Sequence, residues 1–171
     1  MSADERPVRM PTSSASTPVV FRTTRVLPHS PAVVYAAFAD AARLAQWWGP
    51  SGFSNTFQLF EFRPGGRWEF VMHGPDGRHY ANASVFRHLE DATRLVIEHV
   101  SPPHFTLTVT LAPQPSGTIL SWEQAFADPD VAARVEAIVV PANEQNLDRL
   151  AAVLARTAAS GSAPEEKREI A

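Results

Sequence analysis

Between Asn55 and Phe126 the sequence passes through six short stretches rich in β-branched and aromatic residues, each closed by a turn, and this run leaves few folds open. "TFQLFEF" leads into "RPGG", "RWEFVMH" into "GPDG", and "HYANASVFRHL" follows. Then come "RLVIEHV", "HFTLTVTL" and "TILSWEQAF", separated by "SPP" and "APQPSG". Turns this short reverse the chain directly, whereas a parallel crossover needs a dozen or more residues. The spacing therefore predicts one antiparallel sheet built as a meander.

Side chains alternate across a strand, so Trp68, Phe70 and Met72 share one face against Arg67, Glu69 and Val71. Leu120, Trp122, Gln124 and Phe126 likewise oppose Ser121 and Glu123, and His99 falls with Leu95 and Ile97. One face is thus apolar and needs a cover. Ahead of the meander, "VVFRTTRVL" (19–27) reads as a strand and "HSPAVVYAAFAD" as a helix with Ser30 as N-cap and Pro31 in its first turn. A second short helix, from Ala41 to about Trp48, must stop at Gly49 and Pro50. Beyond the meander, Asp128 to Thr157 reads as helix, with Leu147, Leu150 and Leu154 forming an apolar stripe. Pro141 lacks an amide hydrogen and is expected to break or kink that helix between Val139 and Asn143.

The expected architecture is α+β: a curved antiparallel β-sheet wrapped around a long C-terminal helix, with two short helices between the first two strands. A chain of 171 residues, 44% of them hydrophobic, fits a single domain, placed here at residues 19–157. Residues 1–18 and 158–171 lack apolar periodicity and are expected to be disordered tails. A formal net charge of -3 leaves no basic footprint, so nucleic acid is not an expected partner. The sequence has no cysteine, which excludes disulfides and thiolate chemistry. No apolar run nears the roughly 20 residues of a membrane span, and the first residues lack a signal-peptide core, so a cytoplasmic location is expected.

The order strand, two helices, six strands, long helix, carrying "WWGP", "FRPGGRWEFVMHGPDG", Tyr80, "RLV", "TVT" and "NEQNLDRLA", resembles the START-like helix-grip (SRPBCC) superfamily. The resemblance is to the branch named for the activator of heat-shock-protein-90 ATPase, and it spans about residues 19–157. It implies a helix-grip fold with an apolar cavity between sheet and last helix. It implies function poorly, because this fold serves lipid carriers, hormone receptors, polyketide cyclases and co-chaperone domains. Tyr35 departs from the tryptophan many relatives carry in the first helix, without changing the packing pattern.

Candidate ligand-binding residues follow from the inner face: Trp68, Phe70, Met72 and Trp122, with His99 and Gln124 adding isolated hydrogen-bonding capacity. Trp47 is expected to anchor the core, and Trp48 with Phe53 to sit at the cavity rim on a movable Gly-containing loop. The leading expectation is binding of a small apolar or aromatic molecule. An alternative is a cyclase- or dehydratase-type enzyme in which His99 or Tyr80 moves a proton; a third is a protein-interaction module using the sheet or the Trp48 loop. Glu69 and Glu123 belong to the outer face, where cross-strand ion pairs are commoner than catalysis. His73 and His79 flank a hairpin turn without a standard ligand spacing, so no metal is expected. No phosphate loop or dinucleotide fingerprint occurs, so no cofactor is expected, and monomer and homodimer both stay open.

Overall fold

The computed structural model describes residues 16–160, and the expected tails lie for the most part outside the described residues. The elements are β1 (Val19–Leu27), α1 (Pro31–Ala39), α2 (Ala41–Trp47), β2 (Ser54–Phe60), β3 (Arg67–His73), β4 (His79–Glu90), β5 (Arg94–His99), β6 (Phe105–Gln114), β7 (Gly117–Phe126) and α3 (Pro129–Ser160). The strands form a 7-stranded antiparallel sheet in the order β1-β7-β6-β5-β4-β3-β2. From β2 to β7 each strand pairs with its sequence neighbour, as the short turns require. β1 crosses back to pair with β7, Val19 opposite Phe126 and Leu27 opposite Thr118. Bulges at Phe57/Leu59 in β2 and Phe86/His88 in β4 add local bend. This is the helix-grip α+β fold.

The short helices are delimited by their caps. Ser30 accepts the Val33 amide at the start of α1, with Pro31 in its first turn. Asp40 ends α1 and starts α2, its carboxylate accepting the Arg43 amide at 3.0 Å. Gly49 then takes φ +95, which only glycine adopts without strain.

α3 corrects one expectation. A single helical element runs through Pro141, which lies on its exposed side. The carbonyl that loses its donor there belongs to Ala137, itself exposed, so water can take the place of the missing amide. The proline does not break the helix, and burial divides at it. Ahead of it only Ala132 is buried; behind it Asn143, Asn146, Leu147, Leu150, Val153 and Leu154 all are. The C-terminal half therefore does the gripping. It is tied to β1 through Arg25, whose guanidinium meets Glu144 at 3.0 Å and also Asp148, while Thr23 donates to Glu144. No described helix is long and apolar enough to cross a membrane.

Candidate functional site

Strand register builds the inner wall of the grip in rows. Phe60, Trp68, Ser84, His99 and Phe105 are successive cross-strand partners from β2 to β6. Leu95, Val109 and Trp122 make a second row across β5, β6 and β7. The wall is aromatic around Trp68, whose ring centre lies 4.4 Å from that of Phe70 and 5.3 Å from that of Phe57. Trp68, Phe70 and Trp122 are all buried, as their alternation predicted.

The cover over this wall is uneven. The backbone of α3 comes close to β1, β7, α1 and α2, and to none of β2–β6 among the described residues. Trp48 spans the gap, its ring centre 4.8 Å from Trp68 and 5.7 Å from Trp122. It is only 9% exposed, so it is not at a rim. Trp47 is the last residue of α2, and Trp48 is its C-cap, with a helical φ of -65 and its amide still bonded to Leu44 O but with ψ 131. The second indole therefore leaves the chain in a helical direction, its ring centre 5.6 Å from that of Trp47, and the extended ψ redirects only the chain that follows. The chain's 4 tryptophans form one contact cluster.

The loop that presents Trp48 is pinned from α3 rather than loose. Arg149 donates to the carbonyls of Trp48, Gly49 and Pro50 through Nη1 and of Gln46 and Phe53 through Nη2, at 2.8–3.3 Å. Its guanidinium is half-buried with no ion pair among the described residues, and burial lowers its pKa from the usual arginine value. Asn146 accepts the Gly49 amide at 2.7 Å, and Gln145 accepts that of Ser51 at 3.0 Å. Asn55 donates to Ala45 O and Trp48 O. Met72 packs so near Gly49 that a Cβ there would lie 2.5 Å from its terminal methyl. All these contacts hold backbone; none holds the Trp48 indole.

Three buried side-chain atoms lack a hydrogen-bond partner among the described residues: Trp68 Nε1, Trp122 Nε1 and Asn55 Oδ1. Trp47, by contrast, donates its indole hydrogen to Ala37 O at 3.0 Å. An unsatisfied buried group costs about 1–3 kcal/mol.

The remaining candidates lie elsewhere on the same face. His99 is 6% exposed and its ring stacks on Phe105, centres 4.6 Å apart. Its Nδ1 faces Pro103 O at 2.9 Å, so this nitrogen carries a hydrogen; Nε2 meets Asn82 Oδ1 at 3.0 Å and Ser101 Oγ at 3.3 Å. Burial pushes its pKa below the ordinary 6.5, partly opposed by the bonds to Pro103 and Ser101. Gln124 accepts from Asn143 of α3 at 2.9 Å and is engaged in packing. Phe53 lies apart from the tryptophans, 6.2 Å from the half-exposed ring of Tyr80. His73 and His79 face each other across the hairpin with Nδ1 atoms 2.7 Å apart, but no group of three metal-ligating side chains occurs among the described residues. On the outer face Glu123 pairs with Arg22 at 2.9 Å and Glu69 with Arg67. Two open grooves, about 410 Å³ along residues 28–31 and 113–117 and about 200 Å³ between Phe21 and Asn143, both lie away from the Trp48 ring.

Sequence reasoning missed Arg149, Asn146, Gln145 and Asn55. A signal was present in "NEQNLDRL": Asn146 and Arg149 stand three apart beside the Leu147–Leu150 stripe, so one helix side carries donors and acceptors next to the core. Nothing in a single sequence says that their partners are a loop amide and loop carbonyls about a hundred positions away.

Comparison with known proteins agrees with this fold. The crystal structure of a protein from Chromobacterium violaceum matches with 31% identity and a TM-score of 0.71, covering 80% of this chain and 97% of that one. A crystal structure from Nitrosomonas europaea (21% identity, TM-score 0.74, 81% and 95% covered) and a solution structure from Arthrobacter aurescens (21%, 0.76, 92% and 100%) share the fold. No curated protein is significantly similar in sequence. The family described as "Activator of Hsp90 ATPase homolog 1-like protein" matches residues 28–155, which takes in everything from the turn before α1 to the gripping half of α3, and the chain belongs to that family.

Proposed function

We propose that the protein binds a small apolar or aromatic molecule between the inner face of the sheet and α3, and that the Trp48 indole fills this space until the molecule enters. The observation that carries the reading is the Trp48 ring itself: it lies against both Trp68 and Trp122 and comes from a loop whose backbone, not its ring, is held by hydrogen bonds. A side chain can rotate away while its backbone stays fixed; a helical stripe cannot. Few polar groups among many aromatic ones is also the usual lining of a small-molecule site. The test is a titration of the full chain with bicyclic aromatic compounds and fatty acids, followed by tryptophan emission and melting temperature. Since the tryptophans form one cluster, a ligand against Trp48 changes the emission. Saturable one-site binding with a rise in melting temperature is expected. A broad panel producing neither effect contradicts the reading.

A second reading, proton transfer by His99 on a bound molecule, is favoured by one observation. Burial disfavours its charged form, while Pro103 O orients the ring and places Nε2 beside the side chains of Asn82 and Ser101. In this reading Tyr80 stands too exposed, at 44%, to share the work. His99→Gln separates the two: binding persists under both, and turnover disappears only if His99 is the base.

A further inference from the structure

The described core is otherwise careful with its polar atoms. Trp47 bonds Ala37 O, Gln124 bonds Asn143, Asn146 bonds the Gly49 amide and Thr118 bonds His29 O. The unpartnered three are gathered in one place. Trp68 and Trp122 each lie against the Trp48 ring, and Asn55 donates to the Trp48 carbonyl at 2.7 Å. All three thus belong to neighbours of one residue, two of them against the Trp48 ring and the third at its backbone carbonyl. Resting on the binding reading above, we infer that the ligand is a flat neutral molecule of about indole size, carrying a carbonyl-type oxygen for the Trp68 and Trp122 N–H groups and a hydroxyl for Asn55 Oδ1.

The chemistry of each atom narrows the class. An indole N–H only donates, so both tryptophans require acceptors. The Trp48 ring that now lies against them offers at best a π face, a weak acceptor. A ketone or quinone oxygen has two lone pairs, so one such atom or two can serve both donors. Asn55 Nδ2 is committed to two carbonyls, which fixes the amide orientation and leaves Oδ1 as an acceptor waiting for a donor. A carboxylate fits poorly. The nearest cation, Arg149, already serves five backbone carbonyls, and an unpaired buried anion is heavily disfavoured. The size follows from what must leave, one indole.

The experiment compares tetralin, 1-tetralone, ring-hydroxylated 1-tetralones and 1-naphthoate on the full chain by calorimetry or ligand-observed NMR. The ketone is expected to bind about tenfold more tightly than the hydrocarbon although water solvates it better, and a well-placed hydroxyl to add a further severalfold. Trp68→Phe and Trp122→Phe keep an aromatic ring, though a smaller one, and remove the donors; each is expected to shrink the ratio of ketone to hydrocarbon affinity toward one, a ratio that lost volume alone leaves in place. Should either variant fold poorly, the wild-type ratio still decides. Equal affinities of tetralin and 1-tetralone overturn the inference, the donors then belonging to buried water, while the apolar site itself stands. Tightest binding by 1-naphthoate overturns the neutral class. If no compound binds either the wild type or Trp48→Ala, the binding reading falls, and this inference with it.

Discussion

The β1–β7 flank of the grip and the β2–β4 flank are closed by opposite means. On the first, α3 lies close to the strands, Leu147, Leu150 and Leu154 are fully buried, and Arg25 with Glu144 and Gln124 with Asn143 pair the polar groups between helix and sheet. On the second, the short helix α2 approaches β2 while the α3 backbone makes no close approach, and the Trp48 indole packs both on Trp68 of this flank and on Trp122 of β7, the two indoles whose donors lack partners. The first flank is finished as a core; the second is finished as a core only while Trp48 stays in. The difference suggests that stability and ligand access are assigned to separate parts of one sheet, with Arg149 linking them by holding the loop to the helix.

Substitutions can break or sharpen that contrast. Trp47→Ala carries the largest expected loss, about 3–5 kcal/mol by chemical denaturation, because it removes a fully buried ring together with its bond to Ala37 O. Arg149→Met should cost about 2–3 kcal/mol, since charge-assisted bonds to the loop are lost while the aliphatic stem is kept. If it proved neutral, the loop would not depend on α3. Trp48→Ala should cost about 2 kcal/mol, less than its neighbour, because water reaching the Trp68 and Trp122 donors offsets part of the lost packing. That loss should be recovered by an added bicyclic ketone; an equal and unrecoverable loss for both tryptophans would make them one structural anchor.

A smaller effect concerns pH. The His99 pKa is depressed in the fold by burial, so on acidification the unfolded chain takes up its proton first. Stability is then full above about pH 6.5, falls as the pH drops from there toward the depressed folded value, and levels off below it. The slope over this window should be shallower in His99→Gln than in the wild type; an unchanged slope would assign the dependence to other groups. The smallest effect belongs to the outer face. Arg22→Ala should change stability by less than about 1 kcal/mol, because its pair with Glu123 is largely exposed.

The sheet was legible in the sequence because hairpin turns and two-residue alternation are local signals: Trp68, Trp122 and His99 all lie on the side their alternation assigned. Ser30, Pro31 and Gly49 punctuated the helices for the same reason. Pro141 misled because the penalty of a proline within a helix depends on whether the freed carbonyl can meet water, a tertiary matter. Trp48 is buried rather than at a rim because Trp68 of β3 and Trp122 of β7 both reach its ring, contacts between distant parts of the chain. The site was legible as a list of aromatic residues. The arrangement around Trp48 was not legible, because the anchoring of Gln46 to Phe53 by Arg149 and the missing partners of two indoles arise from contacts between distant parts of the chain.

The central claim is that the Trp48 ring occupies the ligand's space, and the indole N–H resonances of the four tryptophans in a ¹⁵N-labelled sample address it directly. On titration with 1-tetralone, the Trp48 resonance is expected to shift strongly toward that of an exposed indole, those of Trp68 and Trp122 to move downfield as they gain an acceptor, and that of Trp47, bonded to Ala37 O, to stay nearly in place. Saturable binding that leaves the Trp48, Trp68 and Trp122 resonances unmoved would contradict the account.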